Sequence, residues 1–599
     1  MRRKSRSEKK VRIKLSLSII IVFSLASAWS LTLAADRFQG ISIPEEVVRG
    51  ELAQKIDLYL RRITPFGFSG ALLVAKDSHI ILNKGYGLAV RSSHTLNTSE
   101  TVFSTGSLTK QFTAAGIMKL EMMGKLKTED PITKFFKNVP LDKQQITLHH
   151  LLTHTAGVID YTGLDYEKAG REETVKKILV APLLFKPGQR FHYSNAGYSL
   201  LAALIEKVSG QSYEQFLHDN LFRPAHMEFT GYRIPDWSKK VVAHWYTGDK
   251  DNGTPLEKPY PYWNLLGNGG ILSTTGDMYR WHLALLGNKI LSEQAKKKIF
   301  APYLNDYGYG WDVLNTEHGL LIQHDGGSML GSSAEMRRYL EAKVATILFC
   351  NQSYDHKPLF EVVRDKIETL VFGGKVNIPP KVKILSPEEM AKFEGKFEFK
   401  TGGRLSIRAA HGQLLVTPEN QAAVAALYFP EKADQAYLKE ISRLSISAFR
   451  AAVRDNYKPM ADILYNKDQR LAAVRDLVNH RLAEFRKREG KIEDIMVEAV
   501  LPSNFRGKET VVVFLKLKGK RRSLYFELYW QGRKNVGIGP SPGAPSLDLP
   551  FMSVGNNEFA GYQIEMAFTL FAKFKFDGDG SLIGLTVIKK EGNLSASKL

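Results

Sequence analysis

The sequence predicts an α+β protein in two successive parts, and three patterns carry that reading. Residues 40–374 contain a β-hairpin, then amphipathic helices, then a second strand pair and a closing helix. Residues 375–387, with Pro379-Pro380, read as a linker. Residues 388–599 return to strand-like segments around one long basic helix, the order expected of an accessory α+β region of one or two units.

Composition sets the outer bounds. A chain of 599 residues exceeds what one hydrophobic core supports, so more than one domain is expected. Hydrophobic residues at 44% and charged residues at 24% are ordinary globular values, which exclude disordered, collagen-like and multi-span membrane classes. A single cysteine, Cys350, rules out an internal disulfide, and its apolar setting Ala345–Cys350 reads as a buried strand position.

Residues 1–35 read as a leader. Eight bases, from Arg2 to Lys14, face only Glu8 and supply a third of the net charge of +21. They precede the apolar run Leu15 to Leu33, which has the layout of an export signal. Ala26-Ser27-Ala28 and Thr32-Leu33-Ala34 offer small residues for cleavage, and the run is also long enough to stay as a membrane anchor. Both readings place the rest of the chain outside the cytoplasmic membrane, periplasmic or secreted. The remaining positive charge has no nucleic-acid motif behind it, and a mixed solvated surface accounts for it.

The elements follow in chain order. Ala71–Ala75 and Ile80–Leu82 are apolar runs around Lys76-Asp77-Ser78-His79, a hairpin pattern. From Leu108 to Met123, apolar residues recur at helical spacing until Gly124 ends them. A second helix runs from Ala196 to Gly210. Ser333–Tyr339 and Lys343–Cys350 look like paired strands, and Leu359–Phe372 has helical spacing. Past the linker, Phe393–Leu415 is strand-rich, Asp468–Glu489 helical, and Ile495–Lys589 again strand-like.

Three short motifs could carry chemistry. In Ser107-Leu108-Thr109-Lys110, a serine and a lysine three apart at a helix start share one face, so a neutral amine could reach the serine hydroxyl. A free serine is a poor nucleophile, and an adjacent base of depressed pKa activates it. The spacing alone is weak, since Ser7 with Lys10 and Ser595 with Lys598 also match. Tyr193-Ser194-Asn195 adds a phenol for proton relay and an amide for substrate. Tyr262 with Asn264 and Tyr303 with Asn305 match as well, but only Tyr193 precedes an amphipathic helix. His324-Asp325-Gly326-Gly327, placed just ahead of a strand pair, offers a hydrogen-bond donor and a glycine whose backbone N–H could meet an oxyanion.

Five stretches in order then resemble one family: Phe103–Lys110, Leu151–Gly157, Tyr193–Tyr198, Gly269–Thr274 and His324–Gly327. They resemble the serine β-lactamase-related superfamily of class C β-lactamases, DD-peptidases and esterases, over about Phe66 to Phe372. The resemblance implies an antiparallel sheet flanked by helices, with an all-helical lobe and the site between them. It implies that Ser107 is acylated, that Lys110 and Tyr193 share proton transfer, and that Asn195 binds a substrate amide. His324 would meet the substrate, and the N–H groups of Ser107 and Gly327 would form the oxyanion hole. Leu151–Gly157 and Gly269–Thr274 are read as structural turns without a catalytic role.

One departure matters. His324 stands where β-lactamases of this type carry a lysine, which favours a DD-peptidase or esterase over a potent β-lactamase. The expected reaction is cleavage of a D-amino-acid peptide, an ester or a β-lactam through an acyl-enzyme. The competing reading is a penicillin-binding or sensor-type protein that keeps the fold without useful turnover. No cofactor and no metal site are expected, because no His, Cys and carboxylate cluster has ligand spacing. The expected partner is a small-molecule or peptide substrate, peptidoglycan-derived peptides among the candidates, with no nucleic acid and with membrane contact only through the leader.

Overall fold

The computed structural model describes residue 43 and residues 46–599, apart from 260–261, 354–358, 411, 430–433, 506–507, 542, 546, 564–567 and 590–591. The leader expected at 1–35 lies outside the described residues. Two compact units form. One holds the described residues up to Gln54 with those of Ser69–Ser353, the other those of Lys55–Phe68 with Tyr354–Leu599.

The first unit is built on a seven-stranded sheet. Its strands are β1 (Val47–Val48), β2 (Gly70–Lys76), β3 (His79–Tyr86), β4 (Asp312–Thr316), β5 (Gly319–Ser328), β6 (Ser332–Tyr339) and β7 (Val344–Cys350). They lie in the order β1-β3-β2-β7-β6-β5-β4, and every neighbouring pair is antiparallel. The two expected hairpins are therefore present. They join through β7 on β2, where Phe349 faces Ala71 and Ile347 faces Leu73. Both faces of β2 are buried, as its unbroken apolar sequence requires. Cys350 is buried at the end of β7.

Helices α1 (Thr109–Met122), α2 (Asn195–Ser209), α3 (Thr275–Leu286) and α4 (Glu293–Ile299) belong to this unit. Helix α1 forms where the apolar spacing predicts it, and it is buried on nearly all sides, from Thr109 through Met118. The small residues Ala114, Ala115 and Gly116 let neighbours approach closely: a side chain at Gly116 would meet Ile205 of α2 and Leu217 at 3.0 Å. Helix α2 starts at a Ser194 cap, whose hydroxyl accepts from Gly197 N at 3.0 Å, and ends at Gly210 with φ +77°. The antiparallel sheet flanked by helices is thus the architecture that forms.

The second unit carries an antiparallel barrel and a helix-backed sheet. In chain order its strands and two longest helices are β8 (Gly395–Phe399), β9 (Arg404–Ala410), β10 (Gln413–Pro418), α5 (Gln435–Ala452), α6 (Lys467–Glu489), β11 (Asp494–Phe505), β12 (Lys508–Lys518), β13 (Ser523–Gln531), β14 (Lys534–Ser541), β15 (Leu549–Gly555), β16 (Glu558–Gln563), β17 (Phe568–Phe576), β18 (Leu582–Lys589) and β19 (Gly592–Lys598). Strands β8, β9, β10 and β15 to β19 close into the barrel, while β11 to β14 form the separate sheet. The barrel is filled by Phe393, Phe397, Phe559 and Phe574, whose rings meet edge to face. The other core joins α5 and α6 to the sheet through Phe449, Val478, Leu482, Phe526 and Trp530. The basic residues of α6 occupy the positions between this apolar stripe. Among the described residues no helix is long and apolar enough to cross a membrane.

Candidate active site

Ser107 sits on a 3-10 turn, Gly106–Leu108, that runs directly into α1. The turn requires a glycine at 106: its φ is +51°, and a Cβ there would fall 2.3 Å from Gly327 N. Gly326 is constrained from the other side, because a Cβ on it would lie 2.3 Å from Thr105 O and 2.4 Å from Ser107 N. His324–Gly327 lie ahead of the β6–β7 pair, as expected, and themselves form part of strand β5, where Asp325, Gly326 and Gly327 pair with Glu335, Ala334 and Ser333 of β6. The missing side chains of Gly326 and Gly327 let the end of a sheet strand run against the serine turn.

Lys110 is fully buried, one turn along, and its Nζ lies 3.0 Å from Ser107 Oγ. The same amine donates to Asn268 O at 2.6 Å. Burial pulls the Lys110 ammonium well below the usual lysine range, opposed in part by the carboxylates of Asp165 and Asp325. The pair therefore sets an amine whose charged form is disfavoured by burial within hydrogen-bond reach of a half-buried hydroxyl.

Tyr193 comes from the segment just before α2. Its ring centroid lies 4.8 Å from Lys110 Nζ, and its hydroxyl shares a hydrogen bond with the Ser107 side chain. Burial raises the Tyr193 pKa far above the ordinary phenol value, so the hydroxyl keeps its proton at neutral pH. Asn195 begins α2, and its side chain pairs with the Tyr161 hydroxyl. Its Oδ1 is buried with no hydrogen-bond partner, an acceptor open to a ligand N–H.

His324 is buried, and its ring faces the protein. Nδ1 donates to Asp325 O at 2.5 Å, and Nε2 lies 3.0 Å from the Tyr307 hydroxyl. Burial lowers its pKa, against the opposing pull of Asp312 and Asp325, which favours the neutral imidazole. With both nitrogens engaged by protein atoms, the ring offers no free donor to a ligand. The structure brings Ser107, Lys110 and Tyr193 together and sets Gly327 against the serine turn. Asn195 lies two residues beyond Tyr193, and His324 supports β5 from within.

Three contributors escaped the sequence reading. Asn268 holds Lys110 through its carbonyl and is itself held by Nδ2 donating to Ser199 Oγ at 2.8 Å and Asn264 O at 2.9 Å. It directly precedes the Gly269–Thr274 stretch, whose Ile271 O accepts from Thr105 N and Oγ1 at 2.9 and 2.8 Å. His154, read as part of a turn, accepts from Ser194 N at 3.0 Å and packs on the Tyr193 ring at 4.2 Å between centroids. Tyr307 lies two residues past a discarded Tyr-x-Asn match and packs against both His154 and His324. Each acts through packing or a backbone atom, which leaves little trace in a motif.

Comparison with known proteins decides the family. The Beta-lactamase family model matches residues 63–368, half of the chain. The chain belongs to the β-lactamase family. Its similarity to other members extends to Penicillin-binding protein 4* of Bacillus subtilis, 28% identical over 406 residues, covering 63% of this chain and 89% of that protein. The putative penicillin-binding protein PbpX of the same organism is 32% identical over 316 residues, covering 51% of this chain and 76% of that one. A solved penicillin binding protein of Bacillus halodurans is 28% identical, with a TM-score of 0.46 over 53% of this chain and all of that one. Residues 63–368 of this β-lactamase-family chain contain Ser107, Lys110, Tyr193, Asn195, His324 and Gly327.

Proposed function

We propose that the chain is an exported serine hydrolase that works through an acyl-enzyme on Ser107. The observation that carries this is the 3.0 Å separation of Lys110 Nζ from Ser107 Oγ, at a lysine whose burial disfavours its charged form. Neutral Lys110 takes the proton from Oγ as it attacks the substrate carbonyl. The oxyanion is met by the N–H groups of Ser107 and Gly327, which the glycine contacts at 106 and 326 hold close together. Tyr193, protonated and bonded to Ser107, passes the proton from the Lys110 ammonium to the leaving nitrogen or oxygen. Water then releases the acyl group by the same route in reverse.

The charges around Ser107 narrow the substrate. Asp165 and Asp325 both act electrostatically on Lys110, and the ring of His324 faces inward. A substrate with a free carboxylate beside the reacting carbonyl therefore meets negative potential without a fixed cation. Esters and D-amino-acid amides should be turned over faster than peptides ending in a free D-Ala-D-Ala carboxylate, by roughly tenfold or more, the effect of about 1.4 kcal/mol. Parallel kcat/KM measurements on the substrate classes check this, and a preference for the free carboxylate would contradict it.

The central test is covalent labelling. A fluorophosphonate or a fluorescent penicillin should label the wild-type protein, and Ser107→Ala should abolish the label. Equal labelling of both would remove Ser107 from the mechanism.

A further inference from the structure

A second cavity, of about 830 Å³, lies in the first unit between α3, α4 and strands β5 to β7. None of the residues assigned above to the acyl-transfer site lines it. Its walls are apolar, with Leu285, Leu286, Phe300, Leu320 and Ile322 among them. This is the size and lining of a small-molecule pocket.

Among the charged residues that also line it, Arg338 on β6 is buried, at 1% exposed. Its Nε donates to His282 Nδ1 at 3.1 Å, and the guanidinium stands over Phe300 at 5.4 Å and Trp311 at 5.9 Å. Nη1 is buried with no hydrogen-bond partner, and no carboxylate forms an ion pair with this side chain among the described residues. The neighbouring Arg337, by contrast, has Glu335 at 3.4 Å. Burial lowers the Arg338 pKa to about 9, so the guanidinium is still charged at neutral pH. His282 cannot supply the missing charge, since it accepts from Arg338 and burial keeps it neutral. A buried arginine normally has a bidentate anionic partner, because its planar fork of donors fits a carboxylate. Lys297 and Lys343, both exposed, add positive charge at the cavity mouth, where Glu293 is already held by Lys296 at 3.3 Å.

We propose that this cavity is a second ligand site, separate from Ser107, for a carboxylate with an apolar body such as a medium-chain fatty carboxylate. The head group meets Arg338 Nη1, and the chain lies against the leucines and Phe300. The interaction is reversible, with no bond made or broken.

Titration calorimetry with decanoate tests it. The wild-type protein should bind decanoate saturably at one site, with decanol at least tenfold weaker. Arg338→Met should weaken decanoate at least tenfold and bring it level with decanol. Should Arg338→Met fail to fold, Leu286→Trp keeps the arginine and fills the cavity, so it should lose decanoate binding while Ser107 is still labelled. Ser107→Ala should bind decanoate as the wild type does, which separates this site from the acyl-transfer reading. Absent saturable binding, equal affinity for decanol and decanoate, or loss of binding in Ser107→Ala would each overturn the proposal.

Discussion

At Lys110, two environmental effects oppose each other. Burial favours the neutral amine, while the Asp165 and Asp325 carboxylates and the rings of Tyr193 and Tyr198 favour the ammonium. Burial is the larger, so the folded-state pKa lies well below the ordinary value of about 10.4. Only the neutral amine can accept the serine proton, so acylation should rise with pH through this lowered pKa and level off well before pH 10. Stopped-flow acylation rates across pH would show it, and a midpoint at the free-lysine value would refute a buried neutral base. Lys110→Ala should slow acylation by about a hundredfold or more, the usual scale for a positioned base. The serine, the lysine and the phenol were legible because their chemistry is tied to short spacings. His154 and Asn268 were not, since one acts by stacking and by accepting a backbone N–H, and the other through its carbonyl.

The decisive element-level feature is the approach of β5 to the serine turn. Two glycines make it possible, Gly106 by adopting φ +51° and Gly326 by leaving room for Thr105 O and Ser107 N. Gly106→Ala should strain the turn by about 1–3 kcal/mol. It should also push Gly327 N away from the oxyanion position, so acylation should fall at least tenfold. Thermal melts and labelling rates measure the two effects, and an unchanged labelling rate would detach β5 from the reaction. Strand and helix positions were largely readable, because the apolar runs of β2 and β3 and the spacing in α2 report local geometry directly. Two features lay beyond local pattern for a common reason: that α1 is buried on nearly all sides, and that Gly326-Gly327 continue a strand, depend on neighbours distant in sequence.

For the molecule as a whole, two separate cores stabilise the second unit. Phe574 contributes to the barrel core, with Phe393 at 4.9 Å and Phe559 at 5.3 Å between centroids. Phe574→Ala should cost about 3–5 kcal/mol there. It should lower the melting transition of that unit in calorimetry while Ser107 labelling persists, and loss of labelling would show that the acyl-transfer site depends on the barrel. The amino-acid order by itself determined the α+β class, the antiparallel hairpins and the choice of Ser107, Lys110 and Tyr193 that the structure brings together, all of which are written in local composition or short spacings. Only the tertiary structure decided that eight of the C-terminal strands close into a barrel, that His324 turns inward onto Tyr307, and that Arg338 is buried without a counter-charge among the described residues. Strand closure, burial and ion pairing are set by residues brought together from far apart in the chain, so no window of sequence contains them.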